Sequence, residues 1–273
     1  MTHVNIGKIY IISCKFGFYL SNVLKYILNQ QDYEVEIKEE VDLDSPNLHI
    51  ILFSQKVSVY PKHYIIYQLE QKDISNWINK KYELSLLFSH RCWDYSEVNI
   101  KKFHPLIQQK MDLVHIPILP YTTLYQEETH IEPFDILFYG TMNQPRKHIL
   151  NYIHRALHHK YKIRIITNTF GKELFKYINA SKIVLNIHYY ENALLESYRI
   201  SEVQSCKKLV ISFLPNKEDI LNFHYYKESI VYVNSVDNMI GSIIYYLENN
   251  NKYEEKIKNI KFIEDTSFIR SLL

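Results

Sequence analysis

Between Lys182 and Phe213 two short apolar runs flank a polar stretch that turns to helical spacing, and no other segment limits the possible folds as tightly. The first run, Ile183-Val184-Leu185, ends at Asn186 and His188. Spacing from about Ser197 to Cys206 is that of a helix, and Leu209-Val210-Ile211 closes the unit. Buried-strand signals alternating with a helix signal predict a βαβ unit. In open parallel sheets, ligands collect at the carboxyl ends of strands and at the helix N-termini that follow. Asn186, His188, Glu191, Glu196, Arg199 and Glu202 fall there.

Arg199 and Glu202 are three residues apart, so a helix places them on one face near its first turns. Exposed N–H groups and the positive end of the dipole favour a phosphate at that end, and Arg199 adds a cation. A carboxylate one turn further on can accept two hydroxyl hydrogen bonds, as a ribose offers. The same spacing also describes an ordinary surface helix with an i,i+3 ion pair.

The pattern repeats on both sides of this unit. Residues 6–13 form a β-rich run, a turn bearing Gly17 follows, and 19–28 read as a helix. A single Gly17 is far short of a G-x-G-x-x-G fingerprint, so it speaks for fold and not for a dinucleotide. Further strands are predicted at 33–38, 48–53, 64–71, 84–89 and 114–118. Gln68, Glu70 and Gln71 fall where one strand runs into polar groups. Asp94, Ser96 and Asn99 follow another, where Asp94 or Ser96 could cap a helix ending near Gln109. Pro117, Pro120 and Pro133 mark a connection, with the domain boundary near 133.

The second half restarts with a strand at 135–139 and a turn from Gly140 into a helix reaching about His159. A strand at 161–167 and a helix from Gly171 to about Asn179 lead into the 182–213 unit. A short helix near 218–221, a strand at 229–233 and helices at 235–249 and from about 252 complete the pattern. The expected fold is α/β, with two Rossmann-like domains at 1–125 and 134–250 whose mainly parallel sheets face across a cleft. A C-terminal helix within 251–273 is expected to pack across both. Clefts between domains are the default ligand sites.

Composition narrows the function classes. A formal charge of +2 over 273 residues gives no field that implies nucleic acid as a partner. Three dispersed cysteines, Cys14, Cys92 and Cys206, without a CxxC pair argue for a reducing compartment and against a thiolate zinc site. No run of about 18 apolar residues and no signal-peptide h-region is present, so a cytoplasmic protein without a transmembrane segment is expected.

The motifs themselves carry a likeness. YQLEQ (Tyr67–Gln71), WDYS followed by Asn99, FYGTMNQPRKHIL (Phe138–Leu150), LNIH (Leu185–His188) and ESYRISEVQSCKKLVIS (Glu196–Ser212) stand in order at strand ends. Over residues 64–213 the chain resembles glycosyltransferases of the two-Rossmann-domain GT-B type, particularly small viral and bacterial ones. A viral member would work in the host cytoplasm. The resemblance implies a nucleotide-sugar in the C-terminal half and an acceptor in the N-terminal half. Glu202 then resembles the residue that holds the donor ribose, and Glu196 and Arg199 match the loop that contacts diphosphate or sugar. Gly140, Thr141, Asn143 and Arg146 match the first turn of the donor domain, with Asn168 and His188 at neighbouring strand ends. Two features depart from the pattern. Glu196 and Glu202 are six apart where many retaining members space two glutamates by eight, and the chain is short, which implies a pared-down N-terminal domain.

The chemistry has its own requirements. A leaving nucleoside diphosphate needs its developing charge stabilised. No acidic D-x-D pattern stands in a plausible position, so Arg146, Lys147, Lys172 and Arg199 with helix N-termini are expected to do this without a metal or any cofactor beyond the co-substrate. An inverting enzyme also needs a base in the opposite domain, and Glu70 and Asp94 are the candidates. The acceptor is left open as a glycan, a protein or a small molecule. A rival reading is a non-catalytic protein of the same fold that binds or senses a nucleotide or nucleotide-sugar. His154, His158 and His159 include an i,i+4 pair that can bind zinc, but they lack an acidic third ligand and read as a solvated helix face.

Overall fold

The computed structural model describes residues 7–125 and 131–273, and the chain divides into two units. One takes in Met1–Pro117 and Ile263–Leu273, and the other Ile118–Phe262. Ile6 of the first predicted strand and residues 126–130 of the Pro-marked connection lie outside the described residues.

Unit 1 is built on six strands: β1 (Lys8–Ile12), β2 (Glu34–Lys38), β3 (Leu48–Leu52), β4 (Tyr64–Gln68), β5 (Arg91–Asp94) and β6 (Met111–Leu113). Their order is β2-β1-β3-β4-β5-β6, and every pairing is parallel. Every residue of β3 and β4 is buried, which is why these central strands read as unbroken apolar runs. Helix α1 (Phe18–Asn29) presents Leu20, Val23, Leu24, Ile27 and Leu28 to the sheet at the expected spacing.

Three expectations are corrected here. Residues 84–89 are not a strand but belong to α2 (Lys80–Phe88), whose first turn is capped by Asn79 accepting from the Tyr82 amide at 3.0 Å. Its inner face is Tyr82, Ser85 and Leu86, while Leu84 and Phe88 stay 45% and 73% exposed. Apolar residues on both faces erase the helical period and leave a run that looks like a strand. The strand of this region is instead β5, with Cys92, Trp93 and Asp94 fully buried between β4 and β6. Residues 114–118, buried except for the half-buried His115, are not a strand: Pro117 has no N–H, and the Tyr67 and Tyr19 hydroxyls donate to the Val114 and Pro117 carbonyls at 2.5 and 2.9 Å. Ser96, not Asp94, is the cap. Its hydroxyl accepts from the Asn99 amide at the start of α3 (Glu97–Lys101), and α4 (Pro105–Gln108) follows as a separate turn.

Unit 2 runs α5 (Tyr121–Leu124), β7 (Phe134–Tyr139), α6 (Gln144–Leu157), β8 (Ile163–Ile166), α7 (Gly171–Ala180), β9 (Ser181–Asn186), α8 (Ser197–Ser205), β10 (Leu209–Phe213), α9 (Ile220–Tyr226), β11 (Ile230–Val233), α10 (Val236–Glu248) and α11 (Asn250–Lys258). The sheet order is β11-β10-β9-β7-β8, again all parallel. Its core packs Ile136 and Phe138 of β7 and Leu185 of β9 with Leu150 and Ile153 of α6 and Ile243 of α10. Among the described residues no helix is long and apolar enough to cross a membrane.

The last segment, 263–273, belongs to unit 1 and carries α12 (Ile269–Leu272). Gln31 donates to the Thr266 hydroxyl at 2.8 Å, Arg91 to the Ser271 carbonyl at 2.6 Å and the Trp93 indole to the Leu272 carbonyl at 3.3 Å. Ile269 between them is fully buried. Ile269→Ala is therefore expected to destabilise unit 1 by about 2–4 kcal/mol through the lost methylenes and the cavity left behind. Arg270→Ala, at a side chain 55% exposed, should change it by less than about 0.5 kcal/mol. Urea unfolding of the two variants beside the parent checks both.

Candidate functional site

The order of the second sheet fixes where a site forms. From β7 the chain moves outward to β8, then crosses back to β9 on the other side of β7 and continues to β10 and β11. The crossovers beyond β7 and β9 therefore leave in opposite directions, opening a crevice at the carboxyl ends of these strands. Those ends are Tyr139-Gly140 and Asn186-Ile187.

Arg146, in the first turns of α6, lies beneath this crevice and is only 2% exposed. Its Nε donates to the Ile187 carbonyl at 2.8 Å, one terminal nitrogen to the Thr141 carbonyl at 2.8 Å, and the other to Glu196 at 3.2 Å. Burial and the neighbouring Arg199 charge lower its pKa to about 10, so it remains protonated at neutral pH. These three bonds tie the ends of β7 and β9 to the start of α8, a structural task beside the phosphate-facing role expected of Arg146.

Glu196 stands between two guanidiniums. Arg146 reaches its Oε1, and Arg199 lies 3.4 Å from its Oε2 without hydrogen-bond geometry. Burial pushes the carboxyl up, but Arg199 and Arg146 more than offset this and hold its pKa below the usual value. Counting Arg146, Arg199 and an ionised Glu196, the cluster carries a net positive charge. Arg199 also sits over the Tyr139 ring at 4.9 Å and reaches Asn186 Oδ1 at 3.5 Å. Gly140 has φ 128°, and a Cβ there would come within 2.7 Å of an Arg199 nitrogen. The backbone angle calls for glycine, and any Cβ would push the Arg199 guanidinium from its place.

Glu202 pairs with neither cation. It is 4% exposed and accepts from the Tyr139 hydroxyl at 2.8 Å. Burial raises its pKa to about 7, against the smaller opposing pull of Tyr139 and Arg199. Seven of the nine residues of α8 are buried, so the surface-helix reading of the Arg199/Glu202 spacing does not hold.

The other expected donor residues divide. His188 Nε2 lies 3.1 Å from the Phe213 carbonyl, an acceptor only, so that nitrogen carries the proton and the neutral ring presents Nδ1, buried and unpartnered, as an acceptor. Burial lowers its pKa. Asn143 caps α6 through the Arg146 amide at 2.9 Å and donates to the Tyr189 carbonyl at 2.7 Å, which is a supporting role. Thr141 is exposed beside the crevice, and Asn168 is exposed at the end of β8 in the left-handed region, φ 55°. Sequence reasoning missed Tyr139; its signal is an aromatic residue ending a strand directly before a glycine.

In unit 1, Asp94 and Glu70 separate into support and presented group. Asp94 is fully buried, and its oxygens accept from Gln68 at 2.8 Å, Asn99 at 2.7 Å and the Ser96 amide at 2.8 Å. Gln68 and Asn99 in turn donate to the Glu70 carbonyl at 2.6 and 2.8 Å, and the Glu70 amide donates to Gln68 Oε1. This network fixes the backbone of Glu70. The Glu70 carboxylate, half-buried, accepts from Gln55 at 2.8 Å and Ser75 at 2.6 Å. Burial raises its pKa, partly countered by Ser75 and Lys56. His154, His158 and His159 are exposed, with the first two rings stacked 5.1 Å apart. Among the described residues no group of three or more His, Cys, Asp or Glu could hold a metal ion.

No family model and no curated protein sequence matches the chain. Solved structures do match across nearly all of it. An α1,3-fucosyltransferase aligns with TM-score 0.55 at 11% identity, over 100% of this chain and 90% of that one. The Anabaena protein HepE, in complex with UDP and glucose, aligns with TM-score 0.55 at 9% identity, over 98% and 95%. A Listeria monocytogenes protein described as a UDP-N-acetylglucosamine 2-epimerase gives 0.55 at 7%, over 92% and 90%. The chain has the GT-B fold.

The raised pKa of Glu202 has a stability consequence with a definite sign. A carboxyl that titrates near 7 when folded and near 4.5 when unfolded favours the folded state below pH 4.5 and loses that contribution as pH rises through 7. Glu202→Gln keeps an acceptor for Tyr139 and removes the buried charge. It should therefore stabilise the ligand-free protein at pH 8 by roughly 1–3 kcal/mol, with the gain shrinking toward pH 4.5. Thermal unfolding across that range reads the effect.

Proposed function

We propose that the protein is a glycosyltransferase that takes a nucleotide-sugar at the crevice of unit 2 and passes the sugar to an acceptor held by unit 1. The observation that carries this reading is the convergence of Gly140, Arg199, Glu196 and Glu202 at the point where the sheet order reverses. The fold it shares with a fucosyltransferase and with UDP- and glucose-bound HepE supports it.

The roles follow from the groups. Transfer breaks the bond between the anomeric carbon and the β-phosphoryl oxygen, which keeps the electron pair. Arg199 supplies the charge that meets it, in a site where burial strengthens the interaction. Glu202 accepts the ribose hydroxyls, best when ionised, so donor affinity rises with pH through about 7. In an inverting transfer, Glu70 takes the proton from the attacking hydroxyl while Asp94 acts as a positioning residue beneath it. Charge neutralisation by Arg199 makes the reaction independent of added metal.

Arg199→Ala is expected to weaken a nucleoside diphosphate by about 10- to 100-fold while leaving the nucleoside nearly unchanged, as isothermal titration would read. Equal loss for both ligands would make Arg199 structural. Glu70→Gln should lower kcat by about 10²–10⁴-fold with donor affinity unchanged. Asp94→Asn, which turns an acceptor oxygen into a donor facing Gln68 and Asn99, should instead lower the unfolding temperature. Turnover of a UDP-, GDP-, ADP- and CMP-sugar panel, with and without EDTA, is the primary test. Binding without turnover of any member with any acceptor would favour the sensing role, and loss with EDTA restored by manganese would refute metal independence.

A further inference from the structure

Unit 1 has a switch point of its own. Its strand order turns at β1 and β3, so the carboxyl ends of these strands, at Ser13 and Phe53, open a second crevice. The backbone there is unusual. Phe53 sits in the left-handed region with φ 56° and ψ 51°, a conformation rare and costly for an aromatic residue, and such strain gathers at ligand sites. It turns the chain into the single helical turn 54–56, which delivers Gln55 and Lys56. Gly17 faces the same place: a Cβ there would stand 2.2 Å from Ser13 Oγ and 2.9 Å from the Phe53 ring.

The side chains gathered at this opening combine aromatic faces with cations, and the exposed Lys15 ammonium also lies 5.6 Å from the centre of the Phe16 ring. The Lys56 ammonium lies 6.0 Å from the centre of the Phe16 ring and 4.7 Å from that of Trp77. Both rings are open to solvent, at 39% and 49% exposure. Among the described residues Lys56 makes no ion pair. Gln55, its neighbour, holds the Glu70 carboxylate. A cation beside aromatic faces gains about 0.5–1 kcal/mol and, unlike one matched to a carboxylate, has no counter-charge in contact to offset it. Half-exposed rings suit the C–H face of a pyranose.

We propose that the acceptor is an anionic saccharide, its ring against Trp77 and Phe16 and its carboxylate or phosphate on Lys56. This rests on the glycosyltransferase reading and adds the class of acceptor to it. Charge also couples recognition to chemistry. Lys56 pulls the Glu70 pKa down against burial, so an anion that neutralises Lys56 removes this pull and makes Glu70 a stronger base. An uncharged acceptor forgoes both the ion pair and the better base.

The chain supplies its own reporter, because of its two tryptophans Trp93 is fully buried and Trp77 is half exposed. The full-length protein is titrated with glucuronic acid, glucose 6-phosphate and glucose while tryptophan emission is followed, and donor binding is measured separately by calorimetry with UDP- and GDP-sugars. At least one charged sugar should saturate the response at about fivefold lower concentration than glucose, the upper end for an exposed ion pair. Which of the two does so separates a uronic acid from a sugar phosphate. Lys56→Gln should abolish the preference with an unchanged unfolding temperature, and Trp77→Phe should abolish the signal. Equal responses to charged and uncharged sugars, a preference that survives Lys56→Gln, or no response while nucleotide-sugars bind would overturn this inference alone. A charge-dependent response in a protein that binds no nucleotide-sugar would instead keep the site and sink the transferase reading.

Discussion

The guanidinium of Arg146 is the interaction on which the second site depends. Three separate chain segments meet on it: the turn after β7 through Thr141, the end of β9 through Ile187, and the start of α8 through Glu196. Each of these segments would otherwise leave a polar group facing an apolar interior, at about 1–3 kcal/mol apiece. A lysine would be a poor replacement, since its donors radiate from one nitrogen whereas the guanidinium spreads them over three. The cost of burying its charge is offset by Glu196. That same carboxylate is then only partly committed to Arg199, whose remaining donors stay at the crevice.

Unit 1 solves the same problem with the opposite charge. There the buried acid is Asp94, and the groups that donate to it include the amides of Gln68 and Asn99 and the Ser96 backbone. The buried Asp94 side chain orients Gln68 and Asn99, and they pass that orientation on to the turn at Glu70. In both units a fully buried charged side chain lies underneath and a partly exposed one lies above it.

This layering explains which parts of the molecule could be read from the residues. Central strands such as 48–52 and 64–68 show plainly, because a parallel strand covered on both faces must be apolar throughout. Arg199 and Glu202 were legible as a pair on one helical face, yet their partners were not. Arg199 turns back toward Glu196 and Glu202 toward Tyr139, and both choices depend on which strand lies beside which. The sequence treats Arg146 and Arg199 alike, as it does Glu70 and Asp94; burial alone separates them. Helix α2 hid because Leu84 and Phe88 make its outer face as apolar as its inner one, and β5 because Arg91-Cys92-Trp93-Asp94 has no β-branched residue.

The return of residues 263–273 to unit 1 has a consequence for how the chain is made. Synthesis proceeds from the amino end, at about 5–20 residues per second. The six-stranded sheet is available early, but the positions that receive Ile269 and the Ser271 and Leu272 carbonyls stay empty until well over a hundred further residues have been added. Throughout that interval, roughly ten seconds or more at such rates, Trp93 lacks its indole acceptor and an apolar site on the first unit stands open. The first unit to be synthesised is thus the last to be completed, and its exposure to chaperones or to wrong partners is set by the translation time of the second.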